Sequence, residues 1–241
     1  MNAISAQARL LESIRARGGG PALVLSDRSV SWAELEDRAE AAGARLARLG
    51  VRAGDRVACY ADTHLDVIAA LLATHAAGAI WVPINPGYQD AELQHILDDS
   101  GAGVVLCDDG DGGERRARVG ARARSLSSWW TRGAPRAERA ADADTALLIY
   151  TSGTTGRAKG CMLSFGNIVG AIGALTALWE VGPDDEIVHA LPLFHVHGLC
   201  VALHGALLRG ARTRLLDKFS PAAVVDAVAR GGTVFMGVPT M

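Results

Sequence analysis

The residues best equipped for chemistry lie together between positions 147 and 160, in the string LLIYTSGTTGRAKG. Thr151, Ser152, Gly153, Thr154, Thr155 and Gly156 interleave hydroxyls with glycines, and Arg157 and Lys159 follow at once. Glycine at 153 and 156 opens backbone conformations that other residues are denied. Successive N–H groups and hydroxyls can therefore converge on one anion, with two cations adding charge. That is the chemistry of a phosphate cradle. The common nucleotide loop reads G-x-x-x-x-G-K-[ST], whereas Lys159 stands three places after Gly156 and is followed by Gly160, so the string is not that motif. A polar surface turn is the alternative reading.

A second cluster gathers His189, His195, His197, Cys200 and His204 around LPLFHVHGL. In an extended segment His195 and His197 point to opposite sides, so they would not act on one atom together. One could face a pocket while the other packs against its wall, and two structural histidines at a strand end is the alternative. Helical spacing lets Cys200 and His204 share a face, but no paired cysteines and no H-E-x-x-H complete a metal site, and none is assigned.

The surrounding pattern supplies elements to hold these residues. Leu147 to Tyr150 reads as a short buried strand broken by the loop, Cys161 to Leu163 as a strand beyond it, and Ser164 as the N-cap of a helix to about Trp179. Upstream, the N-terminal stretch reads as a short surface helix and Val24 to Trp32 as a hairpin turning at Asp27 and Arg28. Ser31 and Glu34 have capping-box spacing ahead of a helix that Gly50 ends. Strands at Arg56 to Tyr60, Ala79 to Pro83 and Val104 to Cys107 alternate with helices at Leu65 to Ala77 and Ala91 to Asp98. Downstream, a strand at Glu186 to His189 precedes a helix to Leu208 and a strand at Arg212 to Leu216. A helix capped by Ser220 with Pro221 in its first turn follows, then a last strand at Thr233 to Met236. Such alternation predicts an α/β fold with parallel-rich sheets flanked by helices.

Two α/β blocks, roughly 1–110 and 145–241, are expected as two sheets of one domain, joined by a connection over 111–144. There the pattern dissolves into Gly, Asp, Arg and Ala, and only Leu126 to Trp130 suggests a packed element. Arg115, Arg116, Arg118, Arg122, Arg124, Arg132, Arg136 and Arg139 form a basic run, read as a solvated loop because acidic residues flank it and stacking aromatics are few.

Over 241 residues the formal net charge is -2, which provides no general field for nucleic acid or an anionic membrane. Val67 to Gln89 and Ile187 to Leu208 carry no Asp, Glu, Lys or Arg, but proline, glycine and histidine interrupt both, so no transmembrane segment is expected. The N-terminus lacks a secretory signal pattern. Cys59, Cys107, Cys161 and Cys200 are scattered without a C-x-x-C pair, and a reduced, cytoplasmic protein is the simplest reading.

The string YTSGTTGRAKG closely resembles the signature loop of the AMP-forming adenylate synthetases, which include acyl-CoA synthetases, luciferases and peptide-synthetase adenylation domains. That family usually has proline where this chain has Ala158, a departure expected to alter loop stiffness more than chemistry. AGAIWVPINPGY, Ala77 to Tyr88, resembles an architectural strand and turn of the same family. LPLFHVHGL and the segment from His189 to Met241 look most like its malonyl-CoA synthetase branch and acyl-CoA synthetase relatives.

The resemblance implies the N-terminal domain of the adenylate-forming fold, present incompletely. It also implies a two-step reaction with ATP, Mg2+ and coenzyme A. A carboxylate attacks the α-phosphorus, magnesium-pyrophosphate leaves, and the thiol of coenzyme A then attacks the acyl-adenylate. On this footing Thr151, Ser152, Gly153, Thr154, Thr155, Gly156 and Lys159 form the phosphate set, with Lys159 catalytic. His195 inherits a place near the carboxylate and adenylate, with His197 beside it on the substrate side. The sequence holds no Tyr-Gly-x-Thr-Glu motif, no ribose-binding aspartate motif and no C-terminal domain with its lysine. The expectation is therefore the N-terminal part of a malonyl- or fatty-acyl-CoA synthetase, inactive alone and self-associating through exposed apolar surface. The alternatives are a non-catalytic nucleotide-binding or interaction module and a fragment of an amino-acid adenylation domain. The latter is disfavoured because its pocket normally presents an aspartate near the histidine motif.

Overall fold

A computed structural model describes residues 4–26, 28–108, 113–126, 140–151 and 157–241. In chain order the elements begin with α1 (Ala6–Arg15), β1 (Pro21–Val24), β2 (Ser29–Ser31), α2 (Trp32–Arg48), β3 (Arg56–Tyr60), α3 (Leu65–Ala76), β4 (Ile80–Pro83), α4 (Asp90–Ser100) and β5 (Val104–Cys107). They continue through α5 (Glu114–Val119), β6 (Ala123–Ser125), β7 (Thr145–Thr151), β8 (Lys159–Ser164), α6 (Phe165–Leu178), β9 (Glu186–His189), α7 (Gly205–Arg209), β10 (Arg212–Leu215), α8 (Pro221–Ala229) and β11 (Val234–Phe235). The chain belongs to the α/β class with parallel-rich sheets, as the alternating pattern predicts. Among the described residues no helix is long and apolar enough to cross a membrane.

Two compact units divide the chain, one of Arg38–Phe165 and one of Met1–Asp37 with Gly166–Met241. The expected blocks, 1–110 and 145–241, differ from these because the pairing that decides the division is remote in sequence. β1 lies parallel to β10, with Leu23 opposite Thr213 and Val24 opposite Arg214. The first residues thereby join the sheet β11-β9-β10-β1-β2, in which only β2 runs antiparallel to its neighbour. The N-terminal helix α1 is less superficial than expected, since Leu10 and Ile14 are buried.

The second unit holds the sheet β6-β5-β3-β4-β7-β8, parallel except for the last pair. β3 beyond Arg56 and the whole of β5 read as apolar runs because strands in the middle of a parallel sheet are covered on both faces, and Val57, Ala58, Val105 and Leu106 are fully buried. α3 is buried at every position from Val67 to His75, which explains why that charge-free stretch could be mistaken for a membrane segment. α4 starts with Glu92 Oε2 accepting from the Gln89 N–H at 2.9 Å and stops at Gly101, whose φ of 60° lies where a side chain is strained. Leu93, Ile96 and Leu97 of α4 pack on Tyr60, Val82, Val105 and Tyr150, which fixes the helix against the end of β7.

The connection expected over 111–144 is partly regular structure. α5 occupies Glu114–Val119, and β6 adds a parallel strand beside β5, with Leu106 opposite Arg124. Two of its arginines, Arg115 and Arg118, are engaged rather than solvated. Arg115 donates to both oxygens of Asp108, at 2.6 and 2.8 Å, and to Asp62 at 2.9 Å. Arg118 reaches Asp90 at 2.6 Å, the Tyr88 carbonyl at 2.8 Å and the Tyr60 hydroxyl. Both guanidinium groups lie over the Tyr60 ring, 5.8 and 5.5 Å from its centroid. Periodic hydropathy could not reveal this element, because charge pairing, with Val119 as its one buried apolar residue, holds it down. Leu126 is buried as expected, while residues 127–139, with Arg132, Arg136 and Arg139, lie outside the described residues.

Candidate functional site

The strands that flank the hydroxyl- and glycine-rich string in sequence form an antiparallel pair. β7 and β8 pair from Thr145 opposite Ser164 through Leu148 opposite Met162 and Tyr150 opposite Gly160, ending with Thr151 opposite Lys159. Two of the expected phosphate residues, Thr151 and Lys159, are thereby brought face to face where the strands part. Ser152, Gly153, Thr154, Thr155 and Gly156 lie outside the described residues. Arg157 and Lys159 are both exposed, and among the described residues neither has an ion-pair partner. Two uncompensated cations beside a hydroxyl at one end of the strand pair suit an anion. They do not suit a bare metal ion, which needs oxygen or imidazole ligands rather than cations.

The far arm of the hairpin is tied down by groups that the sequence reading passed over. The Ala158 carbonyl accepts a 2.9 Å hydrogen bond from Nε2 of His95, on α4. Where the related family usually has proline, this chain therefore has an alanine whose carbonyl is anchored and whose side chain, like those of Leu148 and Tyr88, packs against the core cluster. The Tyr150 hydroxyl donates to Asp99 at 2.6 Å, and the Tyr150 ring meets the His95 ring edge-on with centroids 6.4 Å apart. Burial, then the hydrogen bond to Asp99 and its charge, push the Tyr150 phenol above its ordinary pKa. Gly160 leaves the space that Tyr150 and Leu148 use: an added Cβ would lie 2.8 Å from Leu148 Cδ1 and 3.2 Å from Tyr150 Cζ. The only sequence signal for this arrangement was the spacing of His95 and Asp99, one helical turn apart on α4.

The histidine motif belongs to the other unit and is not extended, which overturns the opposite-sides argument for His195 and His197. His195 N–H donates to the Pro192 carbonyl at 3.3 Å, Leu199 N–H donates to the His195 carbonyl at 2.9 Å, and a π-helical stretch runs from His197 to His204. The turn is this tight because residue 198 is glycine. A Cβ there would meet the Pro192 carbonyl oxygen at 2.4 Å and Leu191 Cβ at 3.0 Å. Leu191 and Leu193 are buried, whereas His195 is exposed and leans on Phe194 with ring centroids 4.5 Å apart; His197 is half-buried.

The remaining histidines are occupied by the backbone. His189 Nε2 bonds the Gly198 carbonyl at 2.9 Å, and His204 Nδ1 bonds the Leu199 carbonyl at 2.8 Å. Burial lowers both from the ordinary imidazole value, His204 to about 4. Burial also pushes the Cys200 thiol up to about 12. Of this cluster, then, His195 and His197 are accessible, and His189, His204 and Cys200 are internal packing.

The matched relatives belong to one family. The family described as AMP-binding enzyme matches residues 10–241. Feruloyl-CoA synthase from Amycolatopsis sp is 35% identical over 237 residues, covering 93% of this chain and 45% of the relative. Malonate–CoA ligase from Arabidopsis thaliana is 30% identical over 214 residues, covering 78% of this chain and 35% of the relative. Among solved structures, ATP-bound MatB from Rhodopseudomonas palustris superposes with a TM-score of 0.85 at 34% identity, covering 98% of this chain and 50% of that one. The chain thus spans about half the length of the proteins it matches or less. With the strands on either side of the signature string paired and the family match running from residue 10 to residue 241, the chain belongs to the AMP-binding enzyme family.

Proposed function

We propose that this chain is the N-terminal part of an AMP-forming acid–CoA ligase and that it contributes the grip on the triphosphate of ATP. The observation that carries the proposal is the end of the β7–β8 pairing, where Thr151 lies opposite Lys159 and the two strands border the family's signature string in sequence. In the first half-reaction a carboxylate displaces pyrophosphate from the α-phosphorus, and negative charge accumulates on the departing group. Fixed N–H groups, hydroxyls and ammonium groups aimed at the β- and γ-phosphates stabilise that charge without reorganising at the moment of bond breaking. Thr151, Ser152, Gly153, Thr154, Thr155, Gly156 and Lys159 are assigned this role. Mg2+ would supply further positive charge to the phosphates that these residues are assigned to grip.

His195 is assigned to the acyl side, with His197 beside it, because these two of the clustered histidines have ring surface left for a ligand. The acid is a carboxylate in the range spanned by the names of the relatives, malonate to ferulate, with the malonyl type favoured by the histidine motif. Coenzyme A is the acceptor in the second half-reaction, and the compartment is the cytoplasm. Adenylate and thioester formation need adenine, ribose and lysine contacts that this sequence does not contain, so the 241-residue chain does not turn over alone.

The test is a comparison of ATP and AMP binding to the purified chain by calorimetry. The proposal expects ATP to bind at least about tenfold more tightly, since only ATP offers β- and γ-phosphates to the loop. Equal affinities would remove the phosphate role and leave the polar turn standing. A pyrophosphate-release assay with malonate or ferulate, ATP and coenzyme A is expected to stay at background, and enzyme-like turnover would contradict the assignment as an inactive part.

A further inference from the structure

We propose that His95 and Tyr150 are positioning residues of the phosphate loop, holding the backbone on either side of Lys159 so that its ammonium group is presented from a fixed base. The proposal rests on the phosphate role assigned above and extends it to side chains outside the signature string.

β8 is the edge strand of its sheet, and residues 159–162 are exposed. An arm that pairs on one side only is the kind of segment that opens locally at little cost. Here it is held from a second direction. His95 reaches 63 positions along the chain to bond the Ala158 carbonyl, one residue before Lys159 and just beyond the last paired position. One residue after Lys159, Gly160 lies against Leu148 and Tyr150, which together occupy the place of the missing side chain.

The two clamps are joined to each other. His95 and Tyr150 touch edge-on, and Asp99, one turn from His95 on α4, takes the Tyr150 hydroxyl at 2.6 Å. Leu93, Ile96 and Leu97 root α4 in the core, so the circuit from α4 through Tyr150 to residues 158 and 160 is anchored at the helix end. Neither His95 nor Tyr150 touches the phosphate in this scheme; they act by fixing where the donors and the ammonium group start from, which is how a preorganised site avoids reorganisation.

The experiment compares the full 241-residue chain with His95→Leu and His95→Gln. Glutamine can place its Nε2–H where the imidazole Nε2–H stood, and leucine fills space without donating. Hydrogen exchange is measured first, without ligand. Amides 159–162 are expected to exchange roughly three- to tenfold faster in His95→Leu, the loss of one hydrogen bond, and to return close to the original rate in His95→Gln, while amides of α3 are unchanged in all three. Identical exchange in the three proteins, or His95→Gln behaving like His95→Leu, overturns the tether.

Inorganic pyrophosphate is then titrated into the same proteins and into Lys159→Ala. His95→Leu is expected to weaken binding about threefold or more and His95→Gln to restore it. Weakened binding in Lys159→Ala with none in His95→Leu overturns the positioning role. A wild-type chain that takes up no pyrophosphate sinks the phosphate assignment itself, and the ligand-free exchange comparison tells that failure apart from failure of the tether.

Discussion

The Tyr150 hydroxyl donates to the Asp99 carboxylate across 2.6 Å, linking the strand that enters the signature loop to the helix that secures its exit. An ionised phenol beside an ionised carboxylate would be doubly unfavourable, so the hydrogen bond holds Tyr150 in its neutral form. Burial raises Tyr60 and Tyr88 as well, so all three tyrosines of the chain resist ionisation. The sign follows from linkage: a phenol whose folded pKa exceeds its unfolded value near 10 adds stability that is complete below that value and is lost as pH rises above it.

A spectrophotometric titration should therefore show little phenolate absorbance near pH 10 in the folded chain and a release of it together with alkaline unfolding. Free titration of all three phenols around 10 in the folded protein would contradict the burial of Tyr150 against Asp99.

At the acid side the internal histidines dominate. His204 is held neutral down to about 4, and His189 is lowered by burial with a smaller contribution from the charge of His197. The unfolded chain binds these protons near 6.5, so stability is complete above that value and falls as pH drops from about 6.5 toward 4. His204 alone accounts for about 3 kcal/mol of the loss across that window. Urea midpoints measured from pH 7.5 to 4.5 should stay nearly level down to about 6.5 and fall below it, and His204→Gln should flatten that fall. A midpoint independent of pH would refute the neutral, buried assignment.

Gly198 carries a steric prediction. A methyl group there meets a backbone oxygen at 2.4 Å, and neither that carbonyl nor the turn at Pro192 can swing aside as a side chain would. Gly198→Ala should cost about 2–3 kcal/mol in equilibrium unfolding and shift the imidazole resonances of His189, which bonds the Gly198 carbonyl. A neutral substitution would mean that the turn is looser than described.

Association is expected from the apolar face of α8 and the neighbouring edge strand. Val225 is 69% exposed, Val228 49% and Phe235 39%, and β11 pairs on one side only. Sedimentation should detect concentration-dependent self-association that the double substitution Val225→Lys, Val228→Lys reduces. A compact monomer with no affinity for a hydrophobic dye would count against it.

The sequence made the elements legible wherever the signal was local. β3, β5 and β9 coincide with the expected spans, and the Ser220 cap with Pro221 opens α8 as expected, because apolar runs and capping chemistry act over a few residues. What escaped was settled at a distance. The division of the chain turns on β1 finding β10, α5 is held by charges on Asp62, Asp90 and Asp108, and the loop exit is gripped from α4. The histidine motif escaped for another reason: the opposite-sides argument for His195 and His197 held for an extended segment, but the glycine at 198 permits a turn that their spacing does not report.

The central claim, that the end of the β7–β8 pairing holds the departing phosphates, is tested most directly by Lys159→Ala. Lys159 is exposed, so its removal should leave the fold intact, and a charge-assisted contact to phosphate is worth about 10- to 100-fold in affinity. ATP and AMP affinities are measured by calorimetry for the original chain and for Lys159→Ala, with urea unfolding as the control. The account predicts that AMP binding is unchanged and that the preference for ATP shrinks by at least about tenfold; an ATP preference untouched by the loss of Lys159 would contradict it.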